Sequence, residues 1–287
     1  FNSTLYVTLE PCHHRGKQPP CTQAIVEAGI KKVVVGQLDP NPLVAGKGVA
    51  FLKEQGIEVV THVLEEEARA LNKHYNVYYE RKRPYVVLKQ AVSLDGKIAV
   101  LGKRTALTDD ETNRFVHDER DDFHAILVGA DTVLIDNPRL LGSGTSFCPP
   151  VRVILDEKGR VFDQLDLQIF KDNSAPVYIF SGRKVSNLPK HVTVIDLPEF
   201  SIANILQVLY EKKLQSVYVE GGAGVHDAFL ESGFWDEIIS YVTPKLIGGN
   251  GKAAMSSFRL VSQALELDDF ACQKIGNNIR LSARRRV

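Results

Sequence analysis

Two cysteines and the prolines around them carry the first chemistry in this sequence. Thr8-Leu9-Glu10-Pro11-Cys12 is followed by eight residues and then by Cys21, directly before an apolar-periodic segment. A Pro-Cys and a second Cys ahead of a helix form half of a zinc deaminase signature. In that chemistry two thiolates and one His hold the metal, a non-ligand Glu moves the protons, and zinc-bound water attacks an amino-bearing ring carbon. The usual spacing leaves two residues between the cysteines. The longer insertion, stiffened by Pro19 and Pro20, is rarer and so more informative. The His-x-Glu half belongs upstream, and none of the eleven residues before Cys12 is His. A start at Phe1, without Met and directly before a strand-like run, predicts a chain whose first segment has been lost. A deaminase that has shed its catalytic half is the alternative. Cys12 and Cys21 are therefore the expected metal ligands of an incomplete zinc site, unless they are ordinary reduced thiols. His13 and His14 lie side by side on a Pro- and Gly-containing loop and read as solvated.

Three later stretches could hold a ligand. Val219-Glu220-Gly221-Gly222-Ala223-Gly224-Val225 reads as a strand running into glycines that open a helix. Backbone amides at such a helix start suit a phosphate, although glycine also serves strand-helix turns for geometry alone. Glu220 would end its strand at the crevice where α/β sheets bind ligands. In Leu88-Lys89-Gln90-Ala91-Val92-Ser93-Leu94-Asp95-Gly96-Lys97 a strand ends in a Ser-Leu-Asp-Gly turn. Residues 130–140 place polar groups at short spacing after a strand and read as a loop.

The elements that position these groups follow from periodicity. Strands alternating with helices over residues 4–72 predict an α/β layer with an unpaired sheet edge. Arg81-Lys82-Arg83-Pro84 marks a boundary, giving expected domains of residues 1–83 and 84–287. Beyond it the pattern restarts with Tyr85-Val86-Val87-Leu88. Thr108-Asp109-Asp110-Glu111 reads as a capping box with Thr108 as the cap. Ser201 caps a helix through Leu209, Gly233 ends the helix after the glycine turn, and three closing strands follow. Lys and Arg balance Asp and Glu at 35 each, so no field draws nucleic acid or a membrane. Four cysteines make no disulfide framework. Cys148 and Cys272 read as buried, and no apolar run approaches the roughly 20 residues of a membrane span. A cytoplasmic setting is expected.

Taken together, the Glu-Pro-Cys-x8-Cys segment, the Ser-Leu-Asp-Gly strand end, the Thr-Val-x-x-Asp-x-Pro-x-Leu loop and the Val-Glu-Gly-Gly turn keep the order found in one family. The chain resembles the bifunctional riboflavin biosynthesis deaminases/reductases over essentially its whole length. The resemblance implies an α/β protein, with a partial cytidine-deaminase-like zinc domain followed by a dihydrofolate-reductase-like α/β domain. It implies an NADPH-dependent enzyme that reduces the ribose of a phosphoribosylamino-pyrimidine to the ribityl chain, with the deaminase inactive in this chain. It further implies catalytic Lys89, Asp136 and Glu220, and substrate contacts at Arg104, Arg120, Leu140 and Glu220. Implied cofactor contacts are Ala91, Ala106, Thr132, Asp136, Gly222, Ala223, Gly224, Val225, His226, Asp227 and Ala228. The partner is a small molecule, with no nucleic acid or membrane, and the protein is expected to form a homo-oligomer.

Three departures touch the reductase pocket. The family's Ser-x-Trp is Arg104-Thr105-Ala106 here, an expected Arg is Ser143, and a Ser beyond the next strand is Glu157. Glu157 would repel a 2′-phosphate, an effect that Lys158, Arg160 or Arg183 could offset. Two alternatives stand beside this reading: a reductase of another pteridine or pyrimidine, and a non-catalytic assembly partner that keeps both folds.

Overall fold

Runs rich in Val and Ile alternate with helices from Thr4 onward, the pattern that builds parallel sheets covered by helices. The structure, a computed structural model, describes residues 3–16, 18–100, 105–257 and 259–286. It divides into two compact units, Phe1–Arg83 and Pro84–Val287. Among the described residues no helix is long and apolar enough to cross a membrane.

The first unit runs β1 (Thr4–Leu9), α1 (Cys21–Glu27), β2 (Lys32–Gln37), α2 (Lys47–Glu54), β3 (Glu58–Val60), α3 (Glu65–Leu71) and α4 (Lys73–Arg81). Its three strands are parallel with β2 in the centre, so Lys32 faces both Thr4 and Glu58. Val33 and Val35 of β2 are fully buried against Ile25, Leu52 and Ile57. Glu10, just past β1, is a buried carboxylate that accepts from the amides of Asp39 (3.2 Å), Gly46 (2.9 Å) and Val49 (3.0 Å). Those donors satisfy its charge and tie the Pro-Cys turn to the start of α2. Gly48 permits the approach, since a Cβ there would lie 1.9 Å from the Pro11 carbonyl oxygen.

The second unit runs β4 (Tyr85–Ser93), β5 (Lys97–Val100), α5 (Asp110–Arg120), β6 (Ala125–Gly129), α6 (Ala130–Asp136), β7 (Val151–Leu155), α7 (Gln168–Lys171), β8 (Val177–Phe180) and β9 (Val192–Ile195). It continues with α8 (Ile202–Glu211), β10 (Ser216–Gly221), α9 (Ala223–Ser232), β11 (Glu237–Thr243), β12 (Gly251–Ala253), β13 (Leu267–Ile275) and β14 (Asn278–Arg285). Nine strands form one sheet in the order β13-β14-β11-β4-β10-β6-β7-β8-β9. From β11 to β9 neighbours are parallel, while β14 pairs antiparallel with β11 and with β13. Each face is covered, as buried parallel strands require. Leu206, Leu209 and Phe229 of α8 and α9 pack with Trp235 on one face, and Val133, Phe162, Ile169 and Phe170 pack on the other. The central β10 and β6 carry Glu220, Gly221 and Gly129 at their C-terminal ends, and β4 between β11 and β10 carries Lys89 at its middle.

Some local expectations change. Asp109, not Thr108, caps α5: its carboxylate accepts from the Thr112 amide at 2.9 Å, a stronger acceptor than a hydroxyl. Thr108 instead donates to Asn113 at 2.6 Å. Residues 130–136, read as loop, form α6, a helix too short to show a period and ended by Asn137 at φ 45°. Cys148 and Cys272 are exposed, not buried. Cys148 lies in an irregular loop, and Cys272 lies on β13, most of which is exposed. Ser201 and Gly233 do cap α8 and α9, the first through its side chain and the second at φ 71°.

Candidate active site

A cavity of about 560 Å³ opens beside the middle of β4, where β6 and β10 end and α9 begins. Ligand crevices of open parallel sheets lie at such strand ends. Lys89, Ala91, Thr132, Asp136 and Glu220 all line it. So do Gly222, Ala223, Gly224, Val225 and His226. Stretches more than 130 residues apart in sequence thus meet in one space.

The helix end is built for close approach. Gly129 lets α9 pack on β6, because a Cβ there would sit 2.8 Å from Val225 Cγ2. Gly221, at φ 88°, lies against the His226 ring, whose Nε2 is 3.2 Å from the Val219 carbonyl oxygen. Burial lowers the His226 pKa, while the Val219 carbonyl contact opposes that shift. The Gly221–Gly222 peptide is cis. The Gly222 amide donates to Thr132 Oγ1 at 3.2 Å. The amides of Ala223 and Gly224 belong to the first turn of α9, where a helix offers them no internal acceptor.

Charge gathers at the cavity floor. Arg120, at the end of α5, grips Glu220 with two bonds of 2.7 Å and donates a third to the Leu141 carbonyl at 2.9 Å. Burial alone would raise the Glu220 pKa; the guanidinium and the Lys89 ammonium overturn that and bring it down to about 2. Lys89 is half-buried, and desolvation lowers its pKa against the pull of Glu220. Its Nζ stands 5.7 Å from the centre of the Tyr241 ring, and among the described residues no hydrogen bond or ion pair holds it. A poised ammonium beside a carboxylate that stays ionised can hand over a proton or hold a developing alkoxide.

Of the other expected site residues, those the structure describes do not line this cavity. Arg104 lies outside the described residues. Leu140 is buried in the core at 2% exposure, so its side chain is a packing group. Ala106 is exposed, and its carbonyl accepts from Lys245 at 3.1 Å. Asp227 turns away: its carboxylate accepts from the amides and hydroxyls of Ser256 and Ser257. Ala228 lines an adjoining cavity of about 490 Å³ with Glu157, Lys158 and Arg160. Arg160 borders both cavities and pairs with Asp131 at 2.7 Å. Arg183 is occupied by Asp163 and Gly159, and Ser143 by Asp121. Gln90 and Thr105, inside quoted stretches but not singled out, also line the wall, as does Lys252, for which no motif gives a signal.

In the first unit Cys12 and Cys21 place their sulfurs 3.4 Å apart. Two thiolates at neighbouring corners of a zinc tetrahedron, with bonds of about 2.3 Å, stand roughly 3.7 Å apart, so the pair fits. His13 stacks on Phe51 and lies 2.9 Å from Thr22 Oγ1 through Nδ1, which occupies it. Among the described residues no group of three or more His, Cys, Asp or Glu could hold a metal.

These features define a class: a deaminase-type segment followed by an α/β domain with a ligand crevice at its strand ends. Residues 1–37 match the cytidine and deoxycytidylate deaminase zinc-binding region, and residues 84–281 match the RibD C-terminal domain. The chain belongs to the RibD family of riboflavin biosynthesis proteins. It is 40% identical over 286 residues to the riboflavin biosynthesis protein RibD of Aquifex aeolicus, covering 96% of this chain and 79% of that protein. A solved diaminohydroxyphosphoribosylaminopyrimidine deaminase/5-amino-6-(5-phosphoribosylamino)uracil reductase of Thermotoga maritima superposes with a TM-score of 0.88 at 38% identity, covering 98% of this chain and 79% of that one. RibD of Acinetobacter baumannii gives 0.89 at 36% identity, covering 99% and 81%. The protein is an enzyme of riboflavin biosynthesis, with a reductase domain fused to a deaminase region.

Proposed function

We propose that the second unit binds NADPH in the 560 Å³ cavity and reduces 5-amino-6-(5-phosphoribosylamino)uracil at the ribose C1′. The observation that carries this reading is the meeting of Lys89 and Glu220 with the glycine-opened helix start in one cavity. The cofactor fits the residues present. A Cβ on Gly222 would meet only Thr132 Oγ1 at 3.9 Å, and one on Gly224 would meet nothing within 4 Å. The missing side chains therefore leave space at amides suited to a diphosphate. Ala91, Thr132, Asp136 and residues 222–225 would hold NADPH, with Lys158 and Arg160 countering Glu157 in the adjoining cavity. NADPH, when bound, supplies the hydride.

The substrate's own chemistry assigns the remaining work. As the C1′–O4′ bond breaks, its electron pair goes to O4′, which needs a proton, while the exocyclic nitrogen forms a C=N bond to C1′. Lys89 supplies that proton. Glu220, kept ionised, accepts from the ribose hydroxyls and favours the charged form of Lys89. Hydride addition at C1′ then returns the electron pair to nitrogen and leaves the ribityl amine. In the first unit Cys12 and Cys21 would supply two thiolate ligands to zinc, which activates water for deamination when its site is whole.

Lys89→Met tests the reductase reading. The variant should bind NADPH like the parent while its kcat falls by roughly 10²–10⁴. Unchanged kcat would remove Lys89 from the chemistry, and equal loss of cofactor binding would make it a structural residue.

A further inference from the structure

We infer that Cys12 and Cys21 are also a modification site: a peroxide joins them in a reversible disulfide, and the disulfide and zinc exclude one another. The exclusion rests on the reading of the pair as zinc ligands, while the disulfide does not. The two sulfurs stand 3.4 Å apart, and a disulfide bond of about 2.0 Å needs roughly 1.4 Å of closure. Backbone bonds hold the approach. The Cys21 amide donates to Cys12 Sγ at 3.4 Å, and the Thr22 amide donates to the Cys12 carbonyl at 3.2 Å. Pro11, one residue earlier, is seated against Gly48, so the near side of the loop is fixed as well.

Exposure does not single the pair out. Cys21, Cys148 and Cys272 are all exposed, and Cys12 is partly so. What the pair has is a second sulfur within reach, which neither Cys148 nor Cys272 has among the described residues. A thiol oxidised alone can proceed to the sulfinic acid, whereas one beside a resolving thiol is captured first as the disulfide. One sulfur, as thiolate, attacks a peroxide oxygen. The O–O bond breaks, and the leaving hydroxide takes up that thiol's proton as water. The second sulfur then attacks the sulfenic sulfur. The S–S bond forms, the S–O bond breaks, and the oxygen leaves with the second thiol's proton as another water. The thiols give up two electrons and the peroxide accepts them. Zinc binds thiolates, and a disulfide sulfur has no charge to offer it.

The experiment treats the chelator-stripped chain with hydrogen peroxide and digests it with trypsin under non-reducing conditions. Trypsin cuts after Arg15, between the two cysteines, so the linkage joins two peptides that would otherwise part. Mass spectrometry should find them as one species, two hydrogens lighter than their sum, and dithiothreitol should separate them. Cys148 and Cys272 should still take iodoacetamide after the same treatment. Saturating zinc should slow the linkage by at least about 10-fold, because the metal holds the thiolates that must attack. The oxidised chain should lose zinc in competition with a colorimetric chelator and regain it after dithiothreitol.

Three results would overturn the inference. Cys12 and Cys21 carried separately to sulfinic acids would show that the sulfurs do not close. Linkage of either one to Cys148 or Cys272, or between two chains, would show that exposure and not proximity decides. Linkage at an equal rate with and without zinc would remove the exclusion. In that case the chelator competition on the reduced chain tells whether the ligand reading has failed too. Cys12→Ser and Cys21→Ser check the pairing from each side: each should abolish the linkage, and the cysteine left behind should oxidise singly. The double variant Cys148→Ser with Cys272→Ser should form the linkage like the parent.

Discussion

Replacing Gly222 with Val separates the fold from the cofactor site. Gly222 sits at φ −58° and ψ −169°, a backbone open to any L-residue. An added Cβ would meet only Thr132 Oγ1, at 3.9 Å, so the fold tolerates it and the methyls project into the cavity. They would stand beside the first amides of α9, where the diphosphate needs close approach. Losing a charge-assisted hydrogen bond costs about 1.5–3 kcal/mol, and a weakened helix-end interaction adds about 0.5–1. The sum, about 3 kcal/mol, corresponds to a Kd for NADPH raised by roughly 100-fold. Gly233→Val is the counterpart. Its φ of 71° is left-handed, and a Cβ there would lie 3.2 Å from Arg285 Nη2. That strain should cost about 1–2 kcal/mol of stability or more, with cofactor affinity unchanged. Fluorescence titration with NADPH and urea unfolding of both variants read the two effects. If Gly222→Val binds NADPH like the parent, or Gly233→Val loses it equally, the helix start does not hold the cofactor.

Two further outcomes follow from the same geometry. Because Glu220 has its pKa depressed to about 2 in the fold, its stabilisation is full above the unfolded value of about 4.3 and fades as pH falls toward 2. Glu220→Gln should lose about 3 kcal/mol or more at neutral pH, by stranding Arg120, and show a flatter decline in urea stability through that acid window. Equal slopes in parent and variant would contradict the assignment. Cys12→Ala should weaken zinc binding at least about 10-fold in chelator competition, since one thiolate of a close pair is gone; unchanged affinity would place the ligands elsewhere.

The β-branched runs made most strands legible, and the Glu-Pro-Cys segment and Gly-Gly turn stood out as segments, because both depend on residues adjacent in sequence. What stayed hidden depends on distance. Arg120 and Glu220 are 100 residues apart, and only the parallel pairing of β10 with β4 and the placement of α5 bring the guanidinium to the carboxylate. Asp227 shows the converse. In sequence it belongs to a helix start aimed at phosphate, yet by position it faces Ser256 and Ser257, whose four donors take up its charge. The sequence pattern named Thr108 as the cap, yet Asp109 takes that place, its carboxylate reaching both the Thr112 amide and the Asn277 amide at 2.9 Å. Lys252 enters the cavity through the pairing of β12 with β5, which no local pattern encodes.

The central claim is hydride delivery to the ribose C1′ in the Lys89–Glu220 cavity. Its most direct test supplies NADPH deuterated at the transferred position together with 5-amino-6-(5-phosphoribosylamino)uracil, and reads the product by mass spectrometry and NMR. The account predicts a ribityl product with a single deuterium at C1′, formed by the parent and lost in Lys89→Met. A product without deuterium at C1′, or no product while NADPH remains bound, would contradict it.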